Sequence, residues 1–198
     1  MPYLRIPDFL PPGEHAALLD WTLASEDRFQ AAPLAGGVID PALRRAMVTR
    51  KLGPSGPALE ARIAALAPEW IAALRVTPFE TTEIELELAA HNDGAHFALH
   101  TDTYRTGVQA RGDRMLSAVY YFHREPRAFS GGMLRLHRLG AHPGDEGVDI
   151  APDQNSLAVF PSWGPHEVTR VDCPSGDFAD SRFAVNCWVY RARDERRA

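Results

Sequence analysis

Cysteine is scarce in this 198-residue chain, which contains only Cys173 and Cys187. Two thiols cannot make a disulfide framework, and a chain long enough to bury a sizeable core does not need one. Both are read as reduced, although they could flank one hairpin and bridge it. Long apolar runs are missing too, which excludes a bilayer-spanning helix. Residues 1–10 lack the charged-then-apolar pattern of a secretory signal. The expected location is therefore cytoplasmic, with no membrane partner. Positive charge is not in excess: 21 Lys and Arg stand against 26 Asp and Glu, for a net charge of −5. A general nucleic-acid binder is usually strongly basic, so no nucleic-acid partner is expected. Arg105, Arg111 and Arg114 form a local basic cluster in a loop that either contacts substrate or is simply solvated. No repeat or low-complexity segment interrupts the chain. Length and composition fit one globular domain.

The texture changes at Pro78. Before it, Pro11, Pro12, Gly13 and Glu14 open a segment with Leu18, Leu19 and Leu23 at helical spacing. Pro33, Gly36 and Gly37 mark a loop. A second helix is predicted after Pro57, with Leu59, Ile63 and Leu66 on one side and Pro68 placed to split it. Beyond Pro78 the period becomes two. Residues 83–88 alternate Glu with Ile or Leu, the mark of a strand with one wet face. Short apolar runs follow at 115–122, 133–139, 156–160, 167–171 and 183–190, separated by Gly- and Pro-rich turns. Helices followed by many short strands predict an α+β fold with its strands in a sandwich or jelly roll. One domain over 1–198 is expected, with a helical third at 1–78 and a jelly-roll core at 79–192.

The first chemical signal is His100-Thr101-Asp102. Side chains two apart on a strand point the same way, so His100 and Asp102 would face a common point. A third ligand has to come from a distant strand, and His166 is the best candidate. Two imidazoles and one carboxylate leave one face of an octahedral ion open, as non-haem Fe(II) oxygenases require. With eight histidines in the chain, a His-x-Asp pair alone is weak evidence, and a purely structural role competes with it.

The surrounding sequence is more specific. His100-Thr101-Asp102-Thr103 is followed by a strand-like run from Arg114 to Phe122, then by Ser130-Gly131-Gly132-Met133. Phe160-Pro161-Ser162 leads to His166-Glu167-Val168, and a last run extends from Arg182 to Trp188. In this order the five blocks resemble the prolyl 4-hydroxylase-like branch of the Fe(II)/2-oxoglutarate-dependent oxygenases, over residues 83–190. The resemblance implies a double-stranded β-helix, a two-sheet jelly roll with the N-terminal helices packed on one sheet. It implies Fe(II) held by His100, Asp102 and His166, with 2-oxoglutarate and O2 as co-substrates. The reaction implied is hydroxylation of an aliphatic C–H bond in a prolyl residue of a peptide or protein, or in a small molecule.

The same resemblance makes Arg182 the partner of the distal 2-oxoglutarate carboxylate, a role that suits a bidentate guanidinium. It puts Tyr121 beside that carboxylate as a hydroxyl donor. The plain alternatives are a surface arginine and a core aromatic. Strand alternation puts Arg182, Ala184, Asn186 and Trp188 on one face, and Ser117, Val119 and Tyr121 on another. Ser117 and Asn186 therefore join the predicted co-substrate pocket. Trp163 either walls the pocket or belongs to the core.

Two departures from the family pattern stand out. Arg182 follows His166 by sixteen residues, more than is usual. The turn-rich stretch 172–177 between them is read as a lengthened hairpin loop that keeps the two strands paired, with Arg170 as the fallback arginine. The tyrosine often found before the first ligand is missing, and His91 stands near its place. His91, His96 and His100 would suggest zinc only on a helix, which Gly94 argues against. His15, His123, His137 and His142 are expected to be solvated. Two rivals remain: a cupin-type metalloenzyme without 2-oxoglutarate, and a non-catalytic jelly-roll binding protein.

Overall fold

The computed structural model describes residues 1–103 and 112–193. In chain order its elements are β1 (Leu4–Ile6), α1 (Pro12–Leu23), β2 (Gln30–Ala31), β3 (Arg44–Arg45), β4 (Met47–Thr49) and α2 (Ser55–Ala73). There follow β5 (Thr81–His91), β6 (His96–His100), β7 (Asp113–Phe122), β8 (Ser130–Gly131) and β9 (Leu134–Leu136). The last are β10 (Val148–Ile150), β11 (Ser156–Pro161), β12 (His166–Val168), β13 (Val171–Asp172) and β14 (Arg182–Arg191). Among the described residues, no helix is long and apolar enough to cross a membrane.

The larger sheet has seven strands in the order β1-β11-β7-β14-β5-β4-β2, and the smaller has five, β10-β9-β12-β6-β3. Facing antiparallel sheets with helices on one of them are the expected α+β double-stranded β-helix. Alternation along β14 divides its residues between two cores. Phe183, Val185, Cys187 and Val189 pack with Leu18, Leu59, Ile63 and Trp70 of the helices. Ala184 packs instead with Tyr121, Phe160, Leu134 and Leu136, between the sheets. A one-residue slip of β14 would exchange these sets. Both cysteines are buried and free.

Pro12 sits in the first turn of α1, where its missing N–H costs nothing. In α2, Leu59, Ile63, Ala67, Trp70 and Ile71 make one buried stripe of helical period. Pro68 does not split this helix. A proline inside a helix costs about 3 kcal/mol. Burial of a large apolar side chain recovers about 1.5–3 kcal/mol, and Trp70 and Ile71 lie just beyond the proline.

Three expectations need correction. The first third is not wholly helical: β1 and β2 form the two edges of the larger sheet, and β3 an edge of the smaller. Strands of two or three residues are too short to display a period. The stretch after His166 is not a hairpin loop. β12 pairs with β6 and β9, whereas β14 pairs with β5 and β7, so the chain crosses from one sheet to the other. The added residues form β13, which pairs with β8, and a short 3-10 turn at Phe178–Asp180. Finally, the polar face of β5 is not wet. Glu85 and Glu87 are 6% and 4% exposed, because Arg44, Arg50, Arg114 and Tyr190 close over that face.

Candidate metal centre

β6 ends at His100 and β12 begins at His166, and the two residues are direct partners in the antiparallel ladder. That register sets their ring centroids 4.1 Å apart. Asp102 lies two residues past His100, and its backbone N–H donates to the Ser162 carbonyl at 2.9 Å. The Asp102 carboxylate then faces both rings, with His100 Nε2 3.7 Å from Oδ1 and His166 Nε2 3.6 Å from Oδ2. One ligand atom from each of the three residues falls within 4.8 Å of the others.

The second ring nitrogens explain the orientation. His100 Nδ1 lies 2.9 Å from the Ala98 carbonyl, and His166 Nδ1 2.8 Å from the Gly164 carbonyl. A carbonyl only accepts, so each Nδ1 carries the proton and each Nε2 turns a lone pair inward. Burial, then His166, pushes the pKa of His100 down, which keeps it neutral. Burial works against charge on Asp102, but His166, His100 and the Ser117 hydroxyl hold its carboxyl below the ordinary value. A neutral imidazole at His100 and a carboxylate at Asp102 are ligand states that a divalent ion needs. His100 is further held by Phe97, stacked on it at 3.6 Å and 17°. The guanidinium of Arg44 lies 4.9 Å from the Phe97 ring.

The triad opens into a cavity of about 520 Å³ that Arg182, Tyr121, Ser117 and Asn186 also line. Arg182 is 1% exposed. Its Nη1 lies 3.2 Å from His91 Nδ1, and its guanidinium 4.8 Å from the centre of the Tyr121 ring. Burial, then Arg182, holds His91 well below the usual histidine range, so His91 is a neutral acceptor. Arg182 has no carboxylate partner among the described residues, and its Nε is buried without a hydrogen bond, as is the Tyr121 hydroxyl. Burial pushes Tyr121 up to about 12, so it remains a donor. A buried cation and a buried hydroxyl with no acceptor are costly unless an anionic oxygen ligand joins them. The distal carboxylate of 2-oxoglutarate fits these donors. Gly132 makes room for the arrangement: a Cβ there would meet Arg182 Cδ at 2.6 Å, and its φ of +64° suits glycine. Arg170, the fallback, is exposed and does not line the cavity.

Ser117 and Asn186 reach the cavity but are engaged by protein groups. Ser117 Oγ donates to Asp102 Oδ2 at 2.6 Å, and Asn186 Nδ2 to Glu87 Oε1 at 3.4 Å. Trp163 lies away from the cavity and packs against the main core. His15 is half-buried and bonded to the Tyr120 hydroxyl, and His123 and His137 are buried; only His142 is exposed as expected. Arg105 and Arg111 lie outside the described residues. Arg114 is in the cavity wall, 3.9 Å above the Trp188 ring and 2.8 Å from Glu85.

Sequence reasoning missed the charged wall of this cavity. Glu87 pairs with Arg44 at 2.6 Å, and Glu85 accepts from Arg50, Arg114 and Tyr190. Burial opposes the charge on Glu85, but Tyr190, Arg50 and Arg114 lower its pKa to about 2. The available signal was the strict alternation of residues 83–88: acids on a central strand need buried cations.

Residues 86–190, more than half of the chain, match the family model of the 2OG-Fe(II) oxygenase superfamily. The chain is similar to an uncharacterized PKHD-type hydroxylase from Synechocystis sp., 34% identical over 194 residues. The match covers 94% of this chain and 62% of that protein, so this chain spans less than two thirds of its relative's length. Among solved structures it is similar to a Pseudomonas putida prolyl-4-hydroxylase, with a TM-score of 0.70 and 21% identity over 96% of this chain and 92% of the other. It is also similar to a Trichoplax adhaerens prolyl hydroxylase in complex with a hypoxia inducible factor oxygen degradation domain peptide fragment. There the TM-score is 0.68 and the identity 19%, over 95% of this chain and 83% of the other. At these identities the likeness is one of fold.

Proposed function

Because this chain belongs to the 2OG-Fe(II) oxygenase superfamily, we propose that it is an Fe(II)- and 2-oxoglutarate-dependent dioxygenase hydroxylating an aliphatic C–H bond, with a prolyl residue of a peptide or protein as substrate. The observation that carries this reading is the buried Arg182, without an anionic partner among the described residues, in the same cavity as His100, Asp102 and His166. A cupin-type site that does not use 2-oxoglutarate has no need of such an arginine, and an accidental triad has no need of oriented Nε2 lone pairs. The prolyl substrate draws support from the prolyl hydroxylases among similar structures, one of them holding a peptide.

The residues divide the work. His100, Asp102 and His166 would hold Fe(II) through Nε2, a carboxylate oxygen and Nε2, leaving the opposite side of the ion open. Arg182 and Tyr121 would grip the distal carboxylate of 2-oxoglutarate and so fix the orientation of its other end. When bound, iron with 2-oxoglutarate and O2 supplies the oxidising power to insert oxygen into a C–H bond. Val119, Leu134 and Val168 wall the cavity and exclude water. Phe97 and Trp188 add flat apolar surface to the wall. We assign the whole of 1–198 to one oxygenase domain, since strands from the first third complete the edges of both sheets.

The test is succinate release from 2-oxoglutarate that depends on Fe(II) and O2. It is paired with a screen of prolyl peptides, free amino acids and small molecules for the mass of one added oxygen. Release without added substrate mass would move the substrate class; no release would overturn the activity.

A further inference from the structure

Asp102 offers two carboxylate oxygens to the centre, and each faces an imidazole at nearly the same distance, 3.7 Å for Oδ1 and 3.6 Å for Oδ2. Nothing in those two contacts decides whether an ion takes one oxygen or both. The choice matters, because a chelating carboxylate would use one more coordination position. The open side must accept both the 2-oxo acid group and O2.

The hydrogen bonds to the carboxylate do distinguish its two oxygens. Ser117 is 1% exposed, and its Oγ donates to Asp102 Oδ2 at 2.6 Å. Ser162 is fully buried, and its Oγ lies 2.9 Å from Ser117 Oγ. A hydroxyl has one proton. Since Ser117 gives its proton to Asp102, Ser162 must donate to Ser117, and both protons point toward the carboxylate. Ser162 also fixes the backbone of Asp102, whose N–H it accepts at 2.9 Å, while its own N–H donates to the Met115 carbonyl at 3.1 Å. Ser117 lies opposite Phe160 in the ladder between β7 and β11, and Ser162 follows the last residue of β11, so the relay is built into the larger sheet, opposite the strands that carry the histidines.

We propose that Ser117 is a positioning residue that occupies Oδ2 and commits Asp102 to bind the ion through Oδ1 alone, with Ser162 orienting the Ser117 proton. The inference rests on the reading of this site as an Fe(II) centre. Ser117 thereby acts on the metal through Asp102 rather than on 2-oxoglutarate directly.

The test uses full-length protein loaded with Co(II), which reports coordination by its visible absorption without turnover. Co(II) and then 2-oxoglutarate are titrated into wild type, Ser117→Ala, Ser117→Thr and Ser162→Ala, each first shown to be folded by circular dichroism. Loss of a partner that orients a metal ligand typically weakens the metal by about 10- to 100-fold. Ser117→Ala is expected to fall in that range, with an altered Co(II) spectrum and weaker 2-oxoglutarate binding. Ser117→Thr, which keeps the hydroxyl, should restore the spectrum and the affinity, and Ser162→Ala should fall between. A Ser117→Ala protein with wild-type Co(II) spectrum and affinity overturns the inference and leaves the iron reading intact. Failure of the wild type to bind Co(II) overturns both.

Discussion

Arg182 and His91 are direct partners across β14 and β5, and the Arg182 Nη1 lies 3.2 Å from the neutral Nδ1 of His91. This contact spends one guanidinium nitrogen on a protein acceptor and leaves the rest of a buried cation to a ligand. Removing one partner of a buried charge pair costs about 3–5 kcal/mol, roughly 10²- to 10³-fold or more in binding. Arg182→Ala is expected to raise the 2-oxoglutarate requirement by that factor while metal binding survives. Titration of 2-oxoglutarate into Mn(II)-loaded protein measures it, and an unchanged affinity would place the co-substrate elsewhere.

Tyr121→Phe separates ligand binding from stability. The hydroxyl is buried with the Arg182 guanidinium beside it and no acceptor for its proton, so its removal should change the stability of the unliganded protein little. The loss of one hydrogen bond to a charged ligand group, about 1.5–3 kcal/mol, should weaken 2-oxoglutarate. Denaturant melts with and without 2-oxoglutarate check both halves. A destabilised variant with normal affinity would make Tyr121 a core residue only.

Gly132→Ala should act on Arg182 at a distance in sequence. The new Cβ would meet Arg182 Cδ at 2.6 Å from a backbone at φ +64°. Overpacking of this kind costs about 1–3 kcal/mol, and the displaced guanidinium should weaken 2-oxoglutarate as well. Gly13→Ala, where a Cβ meets nothing within 4 Å, is the control expected to leave 2-oxoglutarate binding unchanged and not to destabilise the fold.

Acid should destabilise the metal-free protein in two windows. Burial first, and Arg182 second, hold the pKa of His91 well below the ordinary histidine value. Below pH about 6.5 the unfolded chain binds a proton that the folded chain refuses, so this contribution is full above that pH and is lost as pH falls. The loss is about 1.4 kcal/mol per pH unit for each such group, and His100 adds to it. Glu85, lowered to about 2 from 4.5, contributes stability that is full above pH 4.5 and is lost as pH falls toward 2. Thermal melts between pH 7.5 and 3 should show both declines. His91→Gln should flatten the upper one, and an unchanged slope would mean that His91 is not held neutral.

The site was legible in the sequence where a residue and its strand partner are both short-range features. His100 and Asp102 lie two apart, and alternation put Arg182, Asn186 and Trp188 on the face that does line the cavity. Period alone did not say what lies opposite a face. Glu85 and Glu87 read as solvent-facing because Arg44, Arg50 and Arg114 come from distant segments. The path from His166 to Arg182 read as a hairpin because nothing local marks a change of sheet. Ser117 was placed in the right cavity by alternation, but its hydroxyl is directed by Asp102 and Ser162, which only the assembled ladder brings together.

The account stands most directly on Asp102. Succinate formation from 2-oxoglutarate should require Fe(II) and O2 in the wild type and be abolished in Asp102→Ala, while the variant keeps its fold by circular dichroism. Succinate released by a folded Asp102→Ala protein at the wild-type rate, or by the wild type in the presence of a chelator, would contradict it.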